Sequence, residues 1–313
     1  MRIALFGVVG CRWAGKLVDL YSFVKFNRCS KMAKKLRQLA SKLKWFIYED
    51  LLSNLVKISI LSVPKIIRVR ALQALNSTGV LDYDNKNIKM ELNSVSQYSR
   101  LKSCGKEPGM VRFFTEDVGE GDVIFDIGAN VGAYSLIAAS EFGKAISVLA
   151  FEPCPATYAA LVSNIRINGL SDVIQAYPLA FGAKTKVDVF NQSSIIPGSA
   201  EHAVGSAIDF RGNVFEPAFQ HSVMCFNLDT FVEFFKVKPP THIKIDVDGI
   251  ELDILRGAKK VLAMKCLRKV SVEVREGSPE EGPILHLMES GGFSVSRGDI
   301  LVNSGCINYV FQR

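Results

Sequence analysis

The chain has no C-x-x-C pair and no H-x-x-x-H pair. Its seven cysteines (11, 29, 104, 154, 225, 266 and 306) and four histidines (202, 221, 242 and 286) are scattered. An odd cysteine count without paired spacing excludes a disulfide framework and a zinc site, and a reducing cytoplasm is the expected home. No apolar run reaches the roughly 18–20 residues needed to span a bilayer. The apolar start, Ile3 to Cys11, is short, follows a single arginine and lacks an A-x-A-like cleavage site, so it makes a poor signal peptide. No internal repeat or low-complexity tract interrupts the chain. Acidic residues are scarce at the N-terminus: residues 1–80 carry 3 Asp/Glu against 15 Lys/Arg, leaving 28 against 23 for the remainder.

A basic arm therefore precedes a mildly acidic domain, and this asymmetry says more than the net charge of +7. At 313 residues and 48% hydrophobic content the chain is long and apolar enough for a globular domain with an extension. Residues 1–75 mix basic and apolar side chains at helical spacing, most densely from Lys31 to Trp45. Three readings of this arm stay open: a solvated helix packed on the main domain, an amphipathic helix lying on an anionic membrane surface, or a nucleic-acid contact. The expected division is 1–104, a mainly helical extension and turn-rich connector, and 105–313, the main domain.

From residue 123 onward, strand-like and helix-like segments alternate. Strands are expected at 123–127, 146–151, 173–179, 242–247 and 269–274. Helices are expected at 132–141, 156–168, 251–264 and 280–290. Residues 183–238 read as an insertion holding a hairpin or two, and two strands, 293–296 and 307–311, close the sheet. This alternation predicts an α/β fold with a mostly parallel, Rossmann-like sheet covered by helices on both faces.

The most informative segment is Val123-Ile-Phe-Asp126-Ile-Gly128-Ala-Asn130-Val-Gly132. It reads as a buried strand, a tight glycine turn and a helix start, an arrangement that presents bare backbone N–H groups to a ligand. Glu152, 24 residues beyond Gly128, ends the next strand, where an acid often holds ribose hydroxyls. A dinucleotide site wants G-x-G-x-x-G/A. Here the second glycine is replaced by Asn130. Asp126, two residues before the first glycine, suits instead a ligand with cationic groups and no phosphates, such as S-adenosylmethionine.

A second constellation is Lys244-Ile-Asp246-Val-Asp248-Gly249-Ile-Glu251. Lys244, Asp246 and Asp248 are spaced by two, so along a strand they share one face, with Ile243, Ile245 and Val247 on the other. Parallel strands are normally apolar on both faces, and three charges there are costly unless they pair or meet a ligand at the strand's carboxyl end. Glu251 falls early in the following helix, where negative charge suits the dipole. Glu273 ends the next strand at the same rim.

These segments, with Phe151-Glu-Pro153, Asn164-Ile-Arg-Ile-Asn168 and Leu255-Arg-Gly-Ala258, resemble the FkbM family of class I methyltransferases over about residues 105–313. Lys106-Glu-Pro108 and Leu228-Asp229 resemble it as well. The resemblance implies S-adenosylmethionine-dependent methyl transfer, usually to a hydroxyl of a sugar or secondary metabolite. It implies that Asp126, Gly128, Asn130 and Gly132 hold the methionine part, Glu152 the ribose, and that Asp246 sits beside the transferring methyl. Ala180-Phe181-Gly182 lacks the acid that often recognises adenine, which leaves that contact to backbone or to Phe181. The family often has Glu where this chain has Asp248, a shorter reach that leaves the acid–base assignment open.

Asp246 is the expected base or acceptor-orienting group, with Lys244 balancing its charge and Asp248 beside it. No metal ligands are assigned, although the carboxylates leave an oxygen-held divalent cation open. The rivals are an RNA methyltransferase served by the basic arm, an NAD-dependent oxidoreductase, and a binding domain without catalysis. The acidic main domain and the lack of an Asn-Pro-Pro-Tyr-type motif speak against the first. The missing glycine and the lack of a Tyr-x-x-x-Lys pair speak against the second, and the charged strand against the third. The expected partner is a small-molecule or glycan hydroxyl acceptor. The expected location is cytoplasmic, with peripheral membrane contact through the arm as the alternative.

Overall fold

The computed structural model describes residues 63–74, 77–301 and 305–313. The basic arm from Lys31 to Trp45 lies outside the described residues, so its three readings are untouched. By contact the chain forms two units, 1–75 and 76–313. Residues 76–104, expected as connector, go with the second unit. Of the first unit the structure describes one helix, α1 (Lys65–Ala74), which follows Pro64. Among the described residues no helix is long and apolar enough to cross a membrane.

The second unit opens with a small antiparallel pair, β1 (Thr78–Val80) and β2 (Lys89–Glu91), then helices α2 (Val95–Arg100), α3 (Ser103–Lys106) and α4 (Pro108–Thr115). β3 (Val123–Ile127), α5 (Ala133–Phe142), β4 (Ser147–Phe151), α6 (Pro155–Ile167) and β5 (Ile174–Tyr177) follow. The insertion supplies β6 (Ala180–Phe181), β7 (Lys186–Gln192), β8 (Ala203–Val204) and β9 (Phe219–Phe226), a separate four-stranded sheet. The chain returns through α7 (Leu228–Phe235), β10 (His242–Ile245), α8 (Glu251–Arg256), α9 (Lys259–Leu262), β11 (Lys269–Arg275), α10 (Glu281–Ser290), β12 (Ser294–Leu301) and β13 (Cys306–Gln312).

The main sheet has seven strands in the order β12-β13-β11-β10-β3-β4-β5. Five of them, from β11 to β5, run parallel, and β13 joins antiparallel to both β11 and β12. This is the mostly parallel Rossmann-like sheet with a closing antiparallel hairpin that the alternation predicts. The strand order reverses beside β3, so a crevice opens at the carboxyl ends of β3, β4 and β10.

Alternation divides the core into two layers. Val123, Phe125, Ile127, Leu149, Phe151, Ile243, Ile245, Val270 and Val272 point to one face and pack with α7 to α10. Ile124, Val148, Ala150 and Val310 point to the other and pack with α4 to α6. Phe125, Phe151, Phe181 and Phe231 meet edge to face in the first layer, with centroids 4.8–6.4 Å apart.

Two expected elements change. The helix expected over 251–264 is two short helices broken at Gly257. A Cβ there would lie 2.3 Å from the Gly182 carbonyl. The Asp229 carboxylate then caps the second helix, accepting from the N–H groups of Lys260 and Val261 at 2.9 Å each. Strand β10 stops at Ile245, so Asp246 and Asp248 lie in the turn beyond it rather than on a strand face. The Glu251 carboxylate pulls the chain round by accepting from Val247 N (3.2 Å) and Gly249 N (3.1 Å), and Asp248 takes a left-handed φ of 63°.

Candidate active site

The apolar layer on the α4–α6 side is interrupted by charge. Lys244 and Asp126 are register partners on β10 and β3, and both are almost fully buried. The Lys244 ammonium donates to the Gly128 carbonyl at 2.8 Å. It also faces Asp126 Oδ1 at 3.3 Å and Asp246 Oδ2 at 3.2 Å. Ser135 on α5 donates to the other Asp126 oxygen at 2.6 Å. Burial opposes the lysine charge, but Asp246 and Asp126 outweigh it and hold the ammonium above the ordinary lysine range. One cation thus ties the glycine turn, the first strand and the turn after β10 into one unit.

The turn itself is not the row of bare amides that the sequence suggests. Gly128 N and Ala129 N donate to Phe151 O at 3.0 and 2.9 Å, and Gly132 N to Ala129 O at 2.8 Å. Asn130 N donates to Glu152 Oε2 at 3.0 Å, and Val131 N to the Asn130 side chain at 2.9 Å. Every amide from Gly128 to Gly132 is therefore spent inside the protein, and none is left to receive a phosphate. The glycines serve packing as well. A Cβ on Gly128 would lie 1.8 Å from the Asp246 carbonyl, and one on Gly132 would lie 2.5 Å from Leu161.

A cleft with about 1040 Å³ of empty space, part of it open to solvent, lies over the carboxyl ends of β3, β4 and β10. Gly128, Asn130, Glu152, Phe181, Asp246 and Asp248 all line it. Asp126, Gly132 and Lys244 do not. They stand behind the wall, and Asp126 acts on the cleft only through Lys244. Phe181 lines the floor but is 1% exposed and locked among Phe151 and Phe231, so it offers an edge rather than a stacking face.

Glu152 is held on both oxygens, by Asn130 N and by Cys154 N at 2.8 Å, with lone pairs left toward the cleft. Burial pushes its carboxyl up to about 7. Burial and then Asp246 push Asp248 up to about 6. Glu251, beneath the cleft, is raised to about 7 by burial. Two lining acids were given little weight by the sequence alone. Glu273 follows β11's partner position to Ile245 and is raised to about 9, by burial and then by Asp246 and Glu107. Glu107, the middle residue of Lys106-Glu-Pro108, is raised by burial and by Asp246.

Arg100 and His202 also reach the cleft with no signal in their local sequence. Burial and the nearby Arg100 lower the His202 imidazole to about 4, so it is neutral at physiological pH. The lining therefore holds five acidic side chains (Glu107, Glu152, Asp246, Asp248 and Glu273) against the guanidinium of Arg100. Near pH 7 Glu273 is neutral and Glu152 about half ionised, and a bound cation favours the ionised forms of both, as a pyrophosphate does not. Among the described residues no three His, Cys, Asp or Glu side chains converge on a metal position.

Residues 126–295, more than half of the chain, match the methyltransferase FkbM domain. The chain belongs to the FkbM methyltransferase family. This FkbM methyltransferase is 27% identical over 206 residues to the hexuronic acid methyltransferase AglP of Haloferax volcanii, covering 65% of this chain and 77% of that protein. It is 28% identical over 198 residues to methyltransferase sdnD of Sordaria araneosa, covering 56% and 74%. The crystal structure of methyltransferase FkbM from Methylobacillus flagellatus KT overlays with a TM-score of 0.45 at 14% identity, covering 70% of this chain. The chain spans about half, 52%, of that structure's length.

Proposed function

We propose that this methyltransferase takes its methyl group from S-adenosylmethionine and transfers it to a hydroxyl oxygen of a sugar, glycan or secondary metabolite. The observation that carries the reading is the acidity of the cleft: Glu152 after β4, Asp246 and Asp248 after β10, Glu273 on β11, and Glu107, with every turn amide from Gly128 to Gly132 already occupied. Bound S-adenosylmethionine supplies an activated methyl on a sulfonium and brings an ammonium group, both cationic.

The residues present fit it. Glu152 keeps free lone pairs toward the cleft where ribose hydroxyls donate. Asp246, whose side chain is 30% exposed, faces the cleft while Lys244 anchors it from behind. Anchoring fixes the carboxylate's direction, and alignment of the acceptor is most of what methyl transfer asks of an enzyme. Asp246 accepts the hydroxyl proton at its free carboxylate oxygen. Leu179, Ala180 and Phe181 give the purine an apolar wall. The hexuronic acid named for the Haloferax relative supports a sugar or glycan as the acceptor.

The test is transfer of a labelled methyl from S-adenosylmethionine to hexuronic acids and their glycosides, with Asp246→Asn beside the wild type. Methylation by the wild type at a hydroxyl, lost in Asp246→Asn while cofactor affinity is kept, is expected. Methylation at nitrogen or on RNA, or full turnover by Asp246→Asn, would overturn the reading.

A further inference from the structure

We infer that residues 193–202 are a strap across the cleft, and that Asp248 and Asn130 are positioning residues that seat it rather than groups that act on the methyl or the acceptor. The inference rests on the cofactor reading of the cleft only for what the strap covers; its seating is read from the protein alone.

The strap joins β7 to β8 and has no regular structure of its own. Its Ser199, Ala200 and His202 line the cleft opposite Gly128 and Glu152. Its backbone is nevertheless well anchored. The Asp248 carboxylate accepts from Glu201 N at 2.7 Å. The Asn130 amide donates to Ser199 O at 3.0 Å. Buried Thr157 on α6 accepts from Gly198 N at 3.1 Å. Ser94 and Arg100 donate to the carbonyls of Pro197 and Gly198 at 2.7 and 3.2 Å. His202 is consumed in the same way: its Nδ1 accepts from Ser193 N at 3.2 Å, and its Nε2 lies 3.3 Å from Ser199 Oγ.

Two of these anchors come from the segments that frame the cofactor cleft, the glycine turn and the turn after β10. Asn130 has used its other amide atom on Val131 N, which leaves the side chain committed to the strap. Glu201 and Asp248 each adopt a left-handed backbone, with φ of 62° and 63°. Such conformations persist where neighbouring contacts hold them, and the hydrogen bond between these two residues is that contact. Asp248 accepts from a backbone amide, a task that needs an oxygen and no ionisable proton. This assigns the proton-accepting role to Asp246 alone among the two aspartates.

The full chain tests this with Asp248→Asn, Asp248→Gly and Asn130→Gly, by amide hydrogen exchange and by titration with S-adenosylhomocysteine. Asn and Gly both tolerate the left-handed φ, so backbone strain does not confound the comparison. Exchange across 193–202 is expected to rise at least 10-fold in Asp248→Gly and Asn130→Gly, with β3 and β4 unchanged. Asp248→Asn, which still offers an acceptor oxygen, is expected to stay within about 3-fold of the wild type. Equal exchange in Asp248→Gly and the wild type, or equal loss in Asp248→Asn and Asp248→Gly, would overturn the proposal. S-adenosylhomocysteine is expected to slow exchange in the strap as well as in 126–132. Protection of 126–132 without the strap would overturn its place over the cleft. No binding by the wild type would instead sink the cofactor reading and leave the seating decided by the ligand-free exchange.

Discussion

Replacing Lys244 by Met removes one charge and strands three oxygens. The Asp126 carboxylate and the Gly128 carbonyl lose their shared partner in the interior, while Asp246 turns to solvent at 30% exposure. Asp126 keeps only the Ser135 hydroxyl. Leaving one member of a buried ion pair costs about 3–5 kcal/mol. With a urea m-value of about 3 kcal/mol/M, the unfolding midpoint falls by roughly 1–1.7 M. The charge is the cause, so removing both partners restores much of the loss: Lys244→Met with Asp126→Asn is expected to lie closer to the wild type than Lys244→Met alone. The cost also depends on pH with a definite sign. A buried carboxylate without its cation disfavours the charged form, so the destabilisation grows as the pH rises. The assay is urea unfolding of all three proteins at pH 5 and pH 8. A Lys244→Met penalty below 1 kcal/mol at pH 8, or one that shrinks as pH rises, would refute the reasoning.

Glu152→Gln replaces a double acceptor with one acceptor and one donor, opposite two N–H groups. Loss of hydrogen bonds to a charged group is worth about 1.5–3 kcal/mol, so S-adenosylhomocysteine affinity is expected to drop about 10- to 100-fold by calorimetric titration. Gly128→Ala places a methyl against the Asp246 carbonyl at a φ of 78°, and is expected to destabilise by at least the 1–2 kcal/mol of a left-handed alanine, read as a lower urea midpoint. Stability of the ligand-free protein is expected to fall as pH rises from about 5 to 9. Glu152, Glu251 and Glu273 have folded pKa values raised to about 7, 7 and 9, so the stability they give by staying protonated is complete below the unfolded glutamate value near 4.3 and is lost as pH rises from there to those values, a loss that the two histidines below offset in part. His202 and His242, buried neutral with values lowered to about 4, cost stability as pH falls below the unfolded histidine range. Thermal unfolding from pH 5 to 9 checks this, and added S-adenosylmethionine is expected to stabilise more at pH 8.5 than at pH 6.

The sheet was legible because its strands carry uninterrupted apolar runs, and the glycine turn and Lys244 cluster were legible because they break those runs. Glu152 was found by its distance from Gly128. What the turn does with its amides was not legible: Asn130 N and Cys154 N find Glu152 only once β3 and β4 lie side by side. The end of β10 was read two residues too late, because alternating Asp246 and Asp248 look like strand until the Glu251 carboxylate turns the chain. Arg100 and His202 come to the cleft from α2 and from the strap, segments with no periodicity of their own. The Asp126–Lys244 pairing follows from strand register, which a single sequence does not give.

The most direct test of the cation-seeking cleft is calorimetric titration of the full chain with S-adenosylmethionine, S-adenosylhomocysteine and NAD. Saturable binding of both adenosyl ligands, weakened by Glu152→Gln, with no binding of NAD, is the expected result. Binding of NAD without the adenosyl ligands would contradict it.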